Sequence, residues 1–238
     1  MATLVIDIET IGREWDTFSA HSKESIAKRA LMSTDFGGDE LSVLEKVKSD
    51  LSLSPFTGVI VSLAMYDVER DLGAVYFVSD DSGVSFQSDS FGFKARTEKE
   101  ILEDFWEGAR AYDTFVTWNG RSFTVPFLYH RSVATKIRPT VEVGKQRYLT
   151  NQSFPHHVDL LEEMTFYGAA RRPSLSLVCD AFGIPFKQKF TGEDIAELYR
   201  RKKFRDIATH NAQDVLTIKE LYEIWKLYLA PSSFLNTV

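Results

Sequence analysis

Leu4-Val5-Ile6-Asp7-Ile8-Glu9-Thr10 sets two carboxylates into an otherwise apolar run. The run predicts a strand near residues 3–9. Side chains two apart on a strand share a face, so Asp7 and Glu9 stand together. Like charges held that close cost free energy unless protons or cations neutralise them. The stretch therefore reads as one side of a metal site whose remaining ligands lie elsewhere in the chain.

The periodicity from about Asp206 to Leu229 predicts a long last helix with Ile207, Asp214, Ile218, Leu221 and Trp225 turned inward. Asp214 thus falls on a buried stripe, where a carboxylate needs a partner. The first-strand pair needs one too, and a shared cation satisfies both. Asp7, Glu9 and Asp214 are the expected ligands of one or two divalent ions, and hard oxygen donors suit Mg²⁺ or Mn²⁺. Two such ions about 4 Å apart activate a water and stabilise the leaving oxygen of a phosphodiester. His210 lies four residues before Asp214 and shares its helix face. Beside the nucleophilic water it would orient or deprotonate it. Without that register it reads as a packed or surface histidine.

The 238 residues fit one large α/β domain or two small ones, and 44% hydrophobic content supports a substantial core. Cys179 is the single cysteine, which excludes an internal disulfide and a thiolate zinc cluster. No long uncharged apolar run predicts a membrane span, and no basic segment precedes an apolar leader, so a soluble, cytoplasmic protein is expected. The net charge of −6 argues against a passive duplex binder but permits an enzyme that holds phosphates through metal ions. Lys187, Lys189, Arg200, Arg201, Lys202, Lys203 and Arg205 reverse that sign locally. They form either a nucleic-acid-facing patch or a solvated helix end.

Between the two carboxylate elements the chain alternates strand and helix signals. A helical stretch from Lys23 to Met32, the Gly37-Gly38 break and a short helix up to about Lys48 are too polar for a core pair. Residues 12–57 read instead as a partly helical insertion or flap. Val59–Tyr66 and Ala74–Val78 read as strands, and Asp80 to Gly92 as a connection. Thr97 and Glu100 form a capping box before a stripe of Ile101, Leu102, Phe105, Trp106 and Ala109. Thr114–Trp118 is a strand broken by Asn119-Gly120, and Phe123–His130 begins a helix. His156–Asp159 passes from strand to helix, and Ser174 caps a short helix closed by Gly183-Ile184-Pro185. The expected architecture is α/β, one domain over residues 1–238 with a mixed sheet flanked by helices.

Three segments in this order resemble the motifs of the DEDD 3′–5′ exonucleases. They are Asp7-Ile8-Glu9-Thr10, Trp118-Asn119-Gly120-Arg121-Ser122-Phe123 and His210-Asn211-Ala212-Gln213-Asp214. The resemblance runs from residue 3 to about 226 and is nearest to the exonuclease domain of family B DNA polymerases and its stand-alone relatives. It implies a ribonuclease H-like sheet of five or six strands and two-metal release of 5′-nucleotides from a nucleic-acid 3′ end, DNA favoured over RNA. By the same resemblance Asp7 is shared by both ions, Glu9 also lies near the nucleophilic water, and Asp214 is the last-motif aspartate. Thr10, Asn119, Phe123 and Thr124 fall beside the terminal nucleotide.

Two departures stand out. The family's second motif continues Phe with Asp, whereas Thr124 follows Phe123, so a second ion should bind more weakly. The third motif carries His210 where a Tyr is usual. Asp159 is either an auxiliary ligand or a cap, and Phe123 either a stacking surface or packing. Trp118 reads as a buried strand residue. Three readings follow: an active exonuclease, an inactive relative that binds nucleic acid or a protein partner, and a nuclease of other polarity on the same scaffold.

Overall fold

The first strand, β1 (Thr3–Gly12), sorts its side chains strictly by parity. Leu4, Ile6 and Ile8 enter one apolar cluster, and Val5 enters another on the opposite face. Asp7 and Glu9 share the parity of Val5 and so face that second layer. The computed structural model describes residues 2–33, 47–144, 156–186 and 190–235. The second half of the expected flap helix pair, including Gly37-Gly38, lies largely outside them.

β2 (Gly58–Asp67) and β3 (Leu72–Phe77) follow β1 as an antiparallel meander. β4 (Ser85–Ser88), β5 (Phe91–Ala95), β6 (Thr114–Thr117) and β7 (His156–Asp159) complete one seven-stranded sheet in the order β4-β5-β3-β2-β1-β6-β7. β6 and β7 lie parallel to β1 and to each other, so the sheet is mixed. The sheet exceeds the expected five or six strands because the sequence reads as connection from Asp80 to Gly92, which takes in β4 and the start of β5. Their hairpin is masked by serines, and what builds it is aromatic pairing: Phe86 stacks on Phe93 with ring centroids 4.4 Å apart. Trp118 also departs from expectation, since β6 stops at Thr117.

Helices cover both faces. α1 (Ala20–Ser33) follows β1 after a single 3-10 turn at Trp15–Thr17. α2 (Glu98–Ala109) begins at the expected capping box, with Thr97 and Glu100 satisfying each other's orphan amides. It packs with α3 (Thr124–Thr135) on the Leu4, Ile6, Ile8 face. α4 (Leu160–Met164), α5 (Leu175–Phe182) and α6 (Gly192–Arg200) lead to α7 (Phe204–Tyr228). α7 lays Ala208, Ala212, Val215, Ile218 and Leu221 on the Val5 face. A long apolar stripe on α7 is thus what brings the two ends of the chain together. No helix of the described residues is long and apolar enough to cross a membrane.

β6 and β7 are joined through their side chains as well. Thr117 Oγ1 and His157 Nε2 share a 2.9 Å hydrogen bond in the core. Gly120 is required beside it, because a Cβ there would sit 2.1 Å from Thr117 Oγ1. Burial, and secondarily the Arg121 charge, push the His157 pKa down to about 3. Unfolded, the same imidazole titrates near 6.5. Between these values the unfolded chain binds a proton that the fold refuses. The stability present above pH 6.5 is therefore lost as pH falls toward 3, by at most about 1.4 kcal/mol per pH unit from this group. Urea unfolding between pH 7 and pH 4 should show a shallower loss for His157→Gln than for the native chain; equal slopes would contradict a neutral buried imidazole.

Candidate active site

The β1–β2 ladder shifts register between Glu9 and Thr10. Glu9 stands opposite Ser62 and Thr10 opposite Ile60, so Val61 is the extra residue of a bulge. Ile60 and Leu63 consequently enter the same cluster although they are three apart. Val61 turns instead to meet Ile195 of α6 and Ile207 of α7. One residue from this irregularity, Asn211 Nδ2 donates 3.0 Å to Ser62 Oγ, with Asn211 fully buried. This bond fixes α7 over the strand partner of Glu9.

The result is a carboxylate cleft. His210 Nε2 lies 3.6 Å from Glu9 Oε1 and 3.4 Å from Asp214 Oδ2. Donor atoms of Glu9, His210 and Asp214 all lie within 4.8 Å of one another, a span that one divalent cation bridges. Asp7 lines the same cleft, whose volume is about 240 Å³. Its walls are Trp118, Leu175, Phe186, Phe190, Thr191, Gly192, Ile195 and Ile218. The Phe190 ring meets His210 edge-on, with centroids 5.4 Å apart.

The electrostatics are those of acids short of a counter-charge. Burial first, and then the charge of Asp214, hold Asp7 well above the ordinary carboxylate range. Glu9 is raised by burial, then by Asp7 and Asp214. Burial pushes Asp214 up to about 7. Three groups that hold protons this tightly offer a cation the same charge that the protons neutralise. Carboxylate oxygens are hard donors, of the kind that Mg²⁺ and Mn²⁺ take.

The other expected residues lie around this cleft, not in its lining. Thr10 Oγ1 donates 2.8 Å to the Ser52 carbonyl, tying β1 to the segment after residue 47. Asn119 adopts φ 57°, and its Oδ1 accepts from Ser122 and, at 2.6 Å, from Arg172 Nη2. Phe123 packs on Phe127, centroids 4.9 Å apart, within the α2–α3 cluster. Thr124 is fully buried, and its hydroxyl has no hydrogen-bond partner among the described residues.

Asp159 is the cap of α4. Its carboxylate accepts the backbone N–H groups of Asn119 at 2.9 Å, Arg121 at 2.8 Å and Leu161 at 3.1 Å. It clamps the turn that carries the second motif. In the basic stretch, Arg200 and Arg201 both pair with Glu197, Lys202 pairs with Asp80 at 2.7 Å, and Arg205 lies over the Phe86 ring. Lys187 and Lys189 lie outside the described residues. The sequence reading missed the Asn211–Ser62 bond and the cleft walls from 175 to 195. Asn211 sits inside a quoted motif, but its partner is 149 residues away.

Residues 69–230 match the model of a family described as a predicted 3′–5′ exonuclease related to the exonuclease domain of PolB. The chain belongs to this family. No curated protein matches it. Family membership rests on the stretch holding the second and third motifs. Asp7 and Glu9 precede the matched residues and join the family's third motif through the contact of β1 with α7. The mixed sheet with helices on both faces is the ribonuclease H-like α/β fold.

The cleft carboxylates and Asp159 should respond oppositely to amidation. Asp214→Asn removes a buried like charge and should raise the melting temperature of the metal-free protein at pH 8 by a few degrees, about 1 kcal/mol. Asp159→Asn weakens three backbone bonds and should cost about 1–3 kcal/mol. Thermal melts in EDTA check both, and a destabilised Asp214→Asn would contradict the like-charge cluster.

Proposed function

We propose that the chain is a divalent-metal-dependent 3′–5′ exonuclease acting on the 3′ end of single-stranded or frayed nucleic acid, DNA favoured. The observation that carries it is the approach of Glu9 and Asp214, from β1 and α7, to within one cation's reach, with His210 between them. Asp7, Glu9 and Asp214 are the proposed ligands of Mg²⁺ or Mn²⁺, one or two ions. Bound there, such an ion supplies charge that polarises a phosphoryl oxygen and promotes ionisation of water.

The chain's own residues do the rest. The carboxylates fix where the scissile phosphate can sit. His210 Nε2, between two carboxylate oxygens, is placed to orient the attacking water and to hold its proton. Trp118, Leu175 and Phe190 supply apolar walls against the terminal nucleoside and exclude competing water. Thr10, Asn119, Phe123 and Thr124 are assigned to the surroundings of that nucleotide, acting through the backbone they fix. A single domain with residues 12–57 as an insertion beside the site completes the assignment, and the Thr10–Ser52 bond supports it.

Thr124 favours one competing reading. Its hydroxyl brings no charge where the family's second motif has a carboxylate, which suits an inactive relative that binds without cutting.

A 5′-labelled single strand separates the two. With Mn²⁺ it should shorten stepwise from its 3′ end, and a 3′-blocked strand should resist. Asp7→Asn should leave no detectable product. Product without divalent metal, or surviving in D7N, would overturn the mechanism. Strand binding with no shortening would favour the inactive relative.

A further inference from the structure

Resting on the exonuclease reading, we infer that Phe166, Tyr167 and the neighbouring Arg172 form a base-stacking platform for the single strand that leads into the cleft. α4 ends at the buried Thr165, and the next three residues adopt left-handed backbone: Phe166 at φ 50°, Tyr167 at 59° and Gly168 at 90°. Glycine takes that conformation without strain; bulky aromatics do not. Both rings nevertheless point into solvent, Phe166 with 70% and Tyr167 with 55% of its surface exposed. The chain thus accepts backbone strain and exposed apolar surface at the same two residues. The left-handed turn closes the end of α4, yet it leaves two aromatic rings bare, and strain of this kind collects at functional surfaces.

The turn and the Tyr167 ring are held, not loose. Tyr167 N–H donates 2.8 Å to the Glu162 carbonyl, and Ala170 N–H donates 2.9 Å to the Thr165 carbonyl. The Tyr167 hydroxyl donates 2.6 Å to Glu163 Oε1. Arg172 links the platform to the cleft: Nη1 binds Glu162 at 2.8 Å, and Nη2 binds Asn119 Oδ1 at 2.6 Å. Asn119 follows Trp118, a cleft wall. Platform and cleft are therefore continuous through one short, hydrogen-bonded path.

The chemistry selects the occupant. Flat exposed rings accept nucleobases of any sequence, and a guanidinium donates to the backbone phosphates between them. Arg171, exposed close to the rings in sequence, offers that guanidinium, while Arg172 is held by Glu162 and Asn119. The two nearest carboxylates, Glu162 and Glu163, are engaged by Arg172 and by the Tyr167 hydroxyl. Single-stranded nucleic acid meets both demands, with upstream bases on the platform and the 3′ end in the cleft.

The test is anisotropy of 5′-fluorescein-labelled oligo-dT12 on the full chain with Ca²⁺ in place of Mn²⁺, read beside thermal melts. Phe166→Gly relieves strain, so it should keep or raise the melting temperature while weakening dT12 binding about tenfold, and Tyr167→Ala should weaken it similarly. Hydrolysis of thymidine 5′-p-nitrophenyl phosphate, too small to reach the platform, should be unchanged in both. Undiminished dT12 affinity in both variants, affinity lost only together with stability, or no dT12 binding by the native chain would each overturn the platform. Hydrolysis failing in the native chain while ring-dependent binding persists would sink the exonuclease reading and leave the platform standing.

Discussion

Mutual repulsion among Asp7, Glu9 and Asp214 is the constraint around which the rest of the molecule is arranged. Each carboxylate has lost much of its hydration; the charge of Asp214 raises the proton affinity of Asp7 and Glu9, and that of Asp7 raises Glu9's. Left to itself such a cluster would drive β1 and α7 apart. The apolar contact of α7 with β1, β2 and β3 opposes that, with Val215, Ile218 and Leu221 buried along its length. The Asn211–Ser62 bond fixes the position of α7 at the carboxylates themselves. The bulge beside Glu9 then sends Val61 to the α6–α7 junction. Stability is given up locally at the cleft and recovered in the two apolar layers on either side of the sheet.

The fold was legible wherever a local rule and the tertiary environment agreed. Parity on β1 predicted the shared face of Asp7 and Glu9, and helical periodicity predicted the inward register of Asp214. The Thr97–Glu100 capping box and the Gly183 stop appear as expected, because caps are settled by neighbouring residues alone. The β4–β5 hairpin was missed because polar residues outnumber the aromatics that build it. The cleft walls on Leu175 and Phe190 were missed for another reason: nothing local distinguishes an apolar residue beside a site from one in the core.

The departures from the family pattern divide in the same way. Asp159 was open between ligand and cap, and its three backbone bonds make it the cap and the clamp of the second motif. His210 stands where the family has Tyr, yet it reaches both Glu9 and Asp214. Thr124 brings no charge to its buried position. Carboxylates from β1 and α7 converge at this end of the cleft, with His210 Nε2 between Glu9 and Asp214.

The most direct measurement is the anomalous-scattering map of a crystal soaked with Mn²⁺ and a mononucleotide. The account predicts a peak within about 2.5 Å of Glu9 and Asp214 oxygens, with Asp7 facing it and the phosphate beside it. Manganese found only elsewhere on the surface, with the carboxylates still protonated around an empty cleft, would contradict it.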